Sequence, residues 1–105
     1  MSKYHNKRVE YQGIRFASLK ERDRYRDLSL LERAGEITAL EIQPRYDLIV
    51  NGHNCGFYRG DFRYVLVATG ETVVEDVKSV ATRTAVYRLK KKLLRALYDI
   101  EITET

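Results

Sequence analysis

The sequence has one cysteine, one proline and no long apolar run. With Cys55 alone no internal disulfide can form, which leads us to expect a thiol-reducing compartment such as the cytoplasm. No stretch approaches the ~20 apolar residues that a bilayer crossing needs. Met1 to Arg8 is polar and basic with no apolar segment behind it, so a secretory signal is not expected. Repeats, low-complexity tracts and interdomain linkers are also missing. The lone Pro44 cannot donate to a central ladder, and it therefore marks a bend between two extended stretches.

Hydrophobic residues make up 44% of the chain and charged residues 32%, a composition that folds. At 105 residues there is room for one core, since a second would need roughly another hundred. We therefore expect a single domain over residues 1–105. The net charge of +4 permits a polyanionic partner without demanding one.

Lys7-Arg8-Val9-Glu10-Tyr11, Gln12-Gly13 and Ile14-Arg15-Phe16-Ala17 read as a short hairpin. Ser18 to Ala34 predicts a helix, with Ser18 as N-cap, a core stripe Glu21, Tyr25, Leu28, Leu31, and Gly35 as the terminating residue. Leu40 to Gln43 and Arg45 to Val50 are extended on either side of Pro44, and Asn51 to Asn54 is turn chemistry. Phe57 to Val67 and Thr72 to Lys78 form a hairpin across Ala68-Thr69-Gly70-Glu71. Thr84 to Tyr98 predicts a second helix with Val86, Leu89, Leu93 and Leu97 as its apolar stripe, and Ile100 to Thr103 can add a short strand. The expected architecture is mixed α/β.

A hairpin centred between Thr69 and Gly70 pairs Val67 with Thr72, Val65 with Val74, Arg63 with Asp76 and Asp61 with Lys78. Side chains alternate with period two, so Asp61, Arg63, Asp76 and Lys78 share one face. Phe62, Tyr64, Leu66, Val73 and Val77 occupy the other, with Glu75 the exception. These charges could simply be cross-strand ion pairs on a solvated sheet. Glu21, however, starts a stripe that must face the core, which directs a third carboxylate toward the sheet. Glu21 also fits a capping box with Ser18, and the two roles compete. Carboxylates on neighbouring strands are suited to a hard divalent cation such as Mg²⁺. A lysine two residues after Asp76 would face the same cleft and could orient an attacking water or neutralise charge on a phosphate.

Five segments in order, Phe16 to Glu21, Leu40 to Pro44, Gly60 to Tyr64, Val74 to Lys78 and Thr84 to Lys90, resemble small phage and prophage proteins of the PD-(D/E)XK nuclease superfamily. The resemblance, close to phage endonuclease I and Holliday junction resolvases, covers nearly the whole chain. It implies a restriction-endonuclease-like core of helix, three antiparallel strands, helix and strand, preceded by the N-terminal hairpin. It further implies that Asp61 and Asp76 are the two acids, Lys78 the lysine and Glu21 an additional carboxylate, with metal held by Asp61, Asp76 and Glu21. Gln43 is a possible accessory residue. Gly60 stands where the superfamily's name has Pro, and Ser79 where relatives often have Gly. Glu75 is a rival acid, but strand parity turns it away from Lys78.

Arg83, Arg88, Lys90, Lys91, Lys92 and Arg95 make the second helix basic on the side opposite its expected stripe, suited to a phosphate backbone. His53 and Cys55 lack the second ligand pair of a zinc site. The eight tyrosines alternate with apolar neighbours and read as core residues. The expected activity is Mg²⁺-dependent DNA cleavage, with Mn²⁺ able to substitute, at branched DNA such as a Holliday junction. A homodimer would be needed to cut both strands. The alternatives are a non-catalytic DNA-binding protein using the basic helix, or the same site acting in packaging, restriction or end cleavage.

Overall fold

The computed structural model describes residues 8–78 and 83–105. Along the chain the elements are β1 (Val9–Tyr11), β2 (Ile14–Phe16), α1 (Leu19–Arg33), β3 (Ile37–Ile42), β4 (Arg45–Val50), β5 (His53–Arg59), β6 (Phe62–Leu66), β7 (Thr72–Asp76), α2 (Ala85–Tyr98) and β8 (Ile102–Glu104). Mixed α/β character is as expected. The remarks above on Met1 to Lys7 and on Ser79 fall outside the described residues.

A central sheet is ordered β3-β6-β7-β8, antiparallel except for the parallel β7–β8 pair. One face buries Phe62 and Tyr64 against Phe16, Leu28 and Ile37, so α1 and the β1–β2 hairpin cover it. The other buries Val74 against Tyr46, Leu48, Tyr58, Tyr87, Leu94 and Ile102, so α2 and the β4–β5 hairpin cover that side. Complete burial of a side chain such as Phe62 or Leu94 contributes about 1.5–3 kcal/mol, and such burial holds the layers together.

Helix α1 begins as its sequence requires: the Ser18 Oγ accepts from the Glu21 amide at 3.2 Å, a cap worth about 1 kcal/mol. Leu28 is fully buried, but Leu31 at the end of the expected stripe is exposed.

Three expectations need correction. The run Phe57 to Val67 is not one strand. It breaks at Gly60-Asp61, where the chain leaves the β4–β5 hairpin and enters the central sheet, so among the described residues five strands, not three, separate the helices. Within the central sheet, β3, β6 and β7 form the three-stranded antiparallel set, and β4 and β5 pair with each other in a separate hairpin.

The β6–β7 register is shifted by two: Val65 faces Thr72, Arg63 faces Val74 and Phe62 faces Glu75. The loop is Val67 to Gly70, closed by Leu66 N–H to Glu71 O at 2.9 Å, with Gly70 at φ 75° providing the left-handed residue. Asp61 is therefore not opposite Lys78, nor Arg63 opposite Asp76. A shift of two preserves parity, so Arg63 and Val74 still lie on one face and Phe62 and Glu75 on the other.

Helix α2 is rotated from its expected orientation. Tyr87 and Leu94, seven residues and two turns apart, are buried, while Val86, Leu89 and Leu97 are 62%, 58% and 40% exposed. The tyrosine ring fills the core position, which a stripe of aliphatic residues alone overlooks.

Candidate active site

Asp61 lies at the crossing of three strands, and its backbone is fixed on both sides. Its N–H donates to Glu75 O at 3.0 Å, and its carbonyl accepts from the Gln43 N–H at 2.9 Å. Gly60 just before it donates to Pro44 O at 3.0 Å, which a proline could not do. Space is also short, since a Cβ at Gly60 would lie 3.2 Å from Val74 Cγ1 and 3.4 Å from Glu75 O. Glycine at this position thus follows from the packing.

From this anchored backbone the Asp61 carboxylate accepts the Val77 N–H at 2.6 Å. Asp76 ends β7 and is buried. Its Oδ2 accepts the Tyr58 hydroxyl, and its Oδ1 lies 3.2 Å from Lys78 Nζ. The Lys78 ammonium also sits over the Tyr87 ring, 3.9 Å from its centroid. Tyr87 in turn donates to Glu104 Oε2 at 2.7 Å. Glu21, the third residue after the Ser18 cap, borders the same space. A cavity of about 440 Å³ is lined by Glu21, Asp61, Asp76 and Lys78 together with Tyr58 and Lys90.

Burial pushes the Asp61 carboxyl up to about 8, against the pull of the Val77 amide, and the neighbouring carboxylates Asp76 and Glu21 add to the rise. Burial and the Asp76 carboxylate push the Tyr58 hydroxyl up, which keeps it a donor. Glu104, by contrast, is held down to about 2, chiefly by the Tyr87 hydroxyl and also by Arg83 and Lys91. The carboxylates available to a divalent cation are those of Asp61, Asp76 and Glu21. Among the described residues, no three His, Cys, Asp or Glu side chains form a ready-made metal cage.

Glu75 projects to the other face. It is fully buried, with Arg24 Nε and Nη2 donating to its two oxygens at 2.7 and 2.6 Å and the Tyr64 hydroxyl bonding the second oxygen. Hydrogen bonding to Glu75 raises the Arg24 pKa well above the ordinary guanidinium value. The acid that competed with Asp76 for the site is thus taken up in an internal ion pair linking α1 to β7.

Over residues 1–104 the chain matches the model of a family described as a protein of unknown function, DUF1064. The chain belongs to that family. No curated protein and no solved structure matches it.

The basic residues of this DUF1064 chain are dispersed around α2. Lys90 faces the acidic cavity, whereas Arg88, Lys91, Lys92 and Arg95 line a separate cavity of about 520 Å³ with Ile100 and Glu101. Arg83 and Lys91 both reach Glu104, at 3.1 and 3.3 Å, and Arg95 reaches Asp99 at 3.0 Å. These cations therefore flank the helix and do not form one sheet of charge opposite an apolar stripe. Gln43 is exposed, with its backbone on Asp61. Arg63, expected among the charges at the site, instead pairs with Glu41 and donates to Tyr46 Oη at 3.1 Å. Cys55 is exposed and free, with its thiol 3.7 Å from the His53 carbonyl.

Sequence reasoning missed Tyr58, Tyr87, Arg24 and Tyr64. The three tyrosines carried a weak signal, since a buried tyrosine hydroxyl needs a partner and the chain is rich in carboxylates. The Arg24–Glu75 pair spans 51 residues and left no local signal.

Proposed function

We propose that this protein is a metal-dependent DNA endonuclease of the PD-(D/E)XK type. The observation that carries this reading is convergence: Glu21 from α1, Asp61 from the start of β6, and Asp76 and Lys78 from β7 and its end border one cavity. The order of elements around it, helix, antiparallel strands, helix and a last parallel strand, supports the same fold assignment.

The donor set suits Mg²⁺. It offers hard carboxylate oxygens with open space for waters and a substrate phosphate. Crowding also favours it, because three acids in a half-buried cavity leave Asp61 reluctant to ionise until positive charge arrives. Asp61, Asp76 and Glu21 would hold the ion, with Mn²⁺ able to replace it, and a bound ion would supply charge neutralisation at the scissile phosphate and a more acidic water. Tyr58 keeps one Asp76 oxygen fixed, and the other lies 3.2 Å from Lys78 Nζ at the cavity's edge. Lys78, held over Tyr87, delivers its ammonium to a phosphate oxygen or to the attacking water. Lys90 and the cations flanking α2 provide contacts to the DNA backbone. Branched DNA is the substrate we favour, cut by a homodimer in phage recombination or DNA processing within the host cytoplasm. Packaging, restriction or end cleavage would use the same site.

One observation favours a second reading, DNA binding without cleavage: Lys78 occupies Asp76 Oδ1 and forms a self-contained ion pair. A single experiment separates the two. The protein is incubated with linear, flapped and four-way DNA, with Mg²⁺ and without. Cleavage that requires Mg²⁺ and disappears in Asp76→Asn, with binding in Ca²⁺ retained, supports the nuclease. A parent protein that binds all three and cuts none is a binding protein.

A further inference from the structure

The β1–β2 hairpin carries two arginines that the acidic cavity does not use. Arg8 lies just before β1, and Arg15 lies in β2 opposite Glu10. Both are exposed, and among the described residues neither has an ion-pair partner. Together with Phe16, Ala17 and Gln43 they line a cleft of about 270 Å³.

Two features connect this cleft to the acidic cavity. Gln43 is bonded through its backbone to the carbonyl of Asp61. Ala17 immediately precedes Ser18, the cap of the helix whose first turn carries Glu21. A strand with one phosphate at Asp61 and Glu21 would therefore bring a neighbouring phosphate toward Arg8, Arg15 and Gln43. A guanidinium presents a rigid fork of donors matched to phosphate oxygens, and the Gln43 carboxamide adds an uncharged donor. Glu10 stands opposite Arg15 across the hairpin but makes no ion pair with it.

We propose that the Arg8–Arg15–Gln43 cleft is a second phosphodiester-binding site, holding a phosphate of the substrate strand adjacent to the one at the acidic cavity. This inference rests on the nuclease reading and extends its substrate contacts from α2 to the N-terminal hairpin.

The test measures binding of a four-way junction and a linear duplex in Ca²⁺ over a range of salt concentrations. Each phosphate contact contributes about 0.9 to the slope of log affinity against log salt. The double variant Arg8→Gln with Arg15→Gln should lower that slope by about 2 and weaken binding at least tenfold on both DNAs. Arg33→Gln, which removes one positive charge at the far end of α1, should leave the slope as it was. An unchanged slope in the double variant, or an equal loss in Arg33→Gln, overturns the proposal while a cutting parent leaves the nuclease reading intact. A parent that neither binds nor cuts DNA overturns both.

Discussion

Arg24 on α1 spans both carboxylate oxygens of Glu75 on β7, at 2.7 and 2.6 Å, and Glu75 has no exposure to solvent. One turn before Arg24 on the same helix is Glu21. The ion pair therefore fixes the height and rotation at which α1 offers Glu21 to the cavity.

Removing either partner of such a pair leaves a charge in a site built for two. Arg24→Met should cost about 3–5 kcal/mol, because Glu75 then has only Tyr64. Glu75→Leu should cost less, since the Arg24 guanidinium can turn to water. The double variant, apolar on both sides, should be more stable than Arg24→Met alone. Urea denaturation of the three proteins tests this, and an Arg24→Met midpoint equal to the parent's would count against the pair.

Asp61 sets a pH dependence of definite sign. Its folded-state value of about 8 lies above the ordinary carboxylate value of 3.8, so between these limits the folded protein binds more protons than the unfolded chain. This group's contribution to stability therefore falls as pH rises from about 4 to about 8. Without divalent metal, Asp61→Asn should be more stable than the parent at pH 8 and lose that advantage near pH 4. Thermal melts in chelator across this range would show the two curves converging on acidification. Parallel curves would mean that Asp61 ionises normally.

Tyr58→Phe removes the donor to Asp76 Oδ2 and leaves a buried acceptor without its partner, at a cost of about 1–3 kcal/mol. If the cavity binds metal, the Mg²⁺ concentration for half-maximal cleavage should rise about 10–100-fold, the usual effect of losing a residue that orients a ligand. A Mg²⁺ titration at fixed DNA reads it, and an unchanged requirement would assign the hydroxyl to stability alone.

The Tyr87 ring and its hydroxyl act on different neighbours. Tyr87→Phe keeps the face beneath Lys78 and loses only the bond to Glu104, whereas Tyr87→Leu loses both. The ε-methylene protons of Lys78 should therefore resonate upfield in the parent and in Tyr87→Phe, and return to ordinary values in Tyr87→Leu. Carbon–proton correlation spectra of lysine-labelled protein decide the point, because loss of the shift in both variants would show that the hydroxyl, not the ring, holds the lysine.

At Gly60 the packing predicts intolerance. Gly60→Ala places a methyl 3.2 Å from the buried Val74 and should cost about 1–3 kcal/mol. Gly60→Pro adds the loss of the N–H bond to Pro44 and should be worse. Denaturant midpoints order the three proteins, and a stable proline variant would contradict the close approach.

How much of this was legible in the sequence depends on the range of the interaction. Ser18, Gly35 and Thr84 bounded the helices because capping is local. The placement of Asp61, Asp76 and Lys78 around one cavity could be anticipated because strand parity survives a register shift of two. The register itself could not, since Gly70 moves the loop and Val67 leaves the hairpin to bond Glu36 O at 3.1 Å. The tyrosines read as core residues, correctly for Tyr87, but the buried face of α2 is missed by a stripe drawn through Val86, Leu89, Leu93 and Leu97 that leaves out Tyr87. Arg24 with Glu75, and Tyr58 with Asp76, are long-range pairs that no spacing rule reaches.

Glu75 and Asp76 are consecutive, alike in charge and opposite in fate, one sealed inside and one bordering open space. A slip of β7 by a single position would bring either Val74 beneath α1 with Glu75 in the cleft, or Asp76 beneath α1 with Val77 in the cleft, so one of the two sites would lose its acid. The strand is secured against this from both flanks, by β6 and by β8, where Thr105 receives the Lys78 amide at 3.1 Å and gives its own to Asp76 at 3.0 Å. Thr105 thus acts as a stop that holds each of the two neighbouring carboxylates to its own side of the sheet.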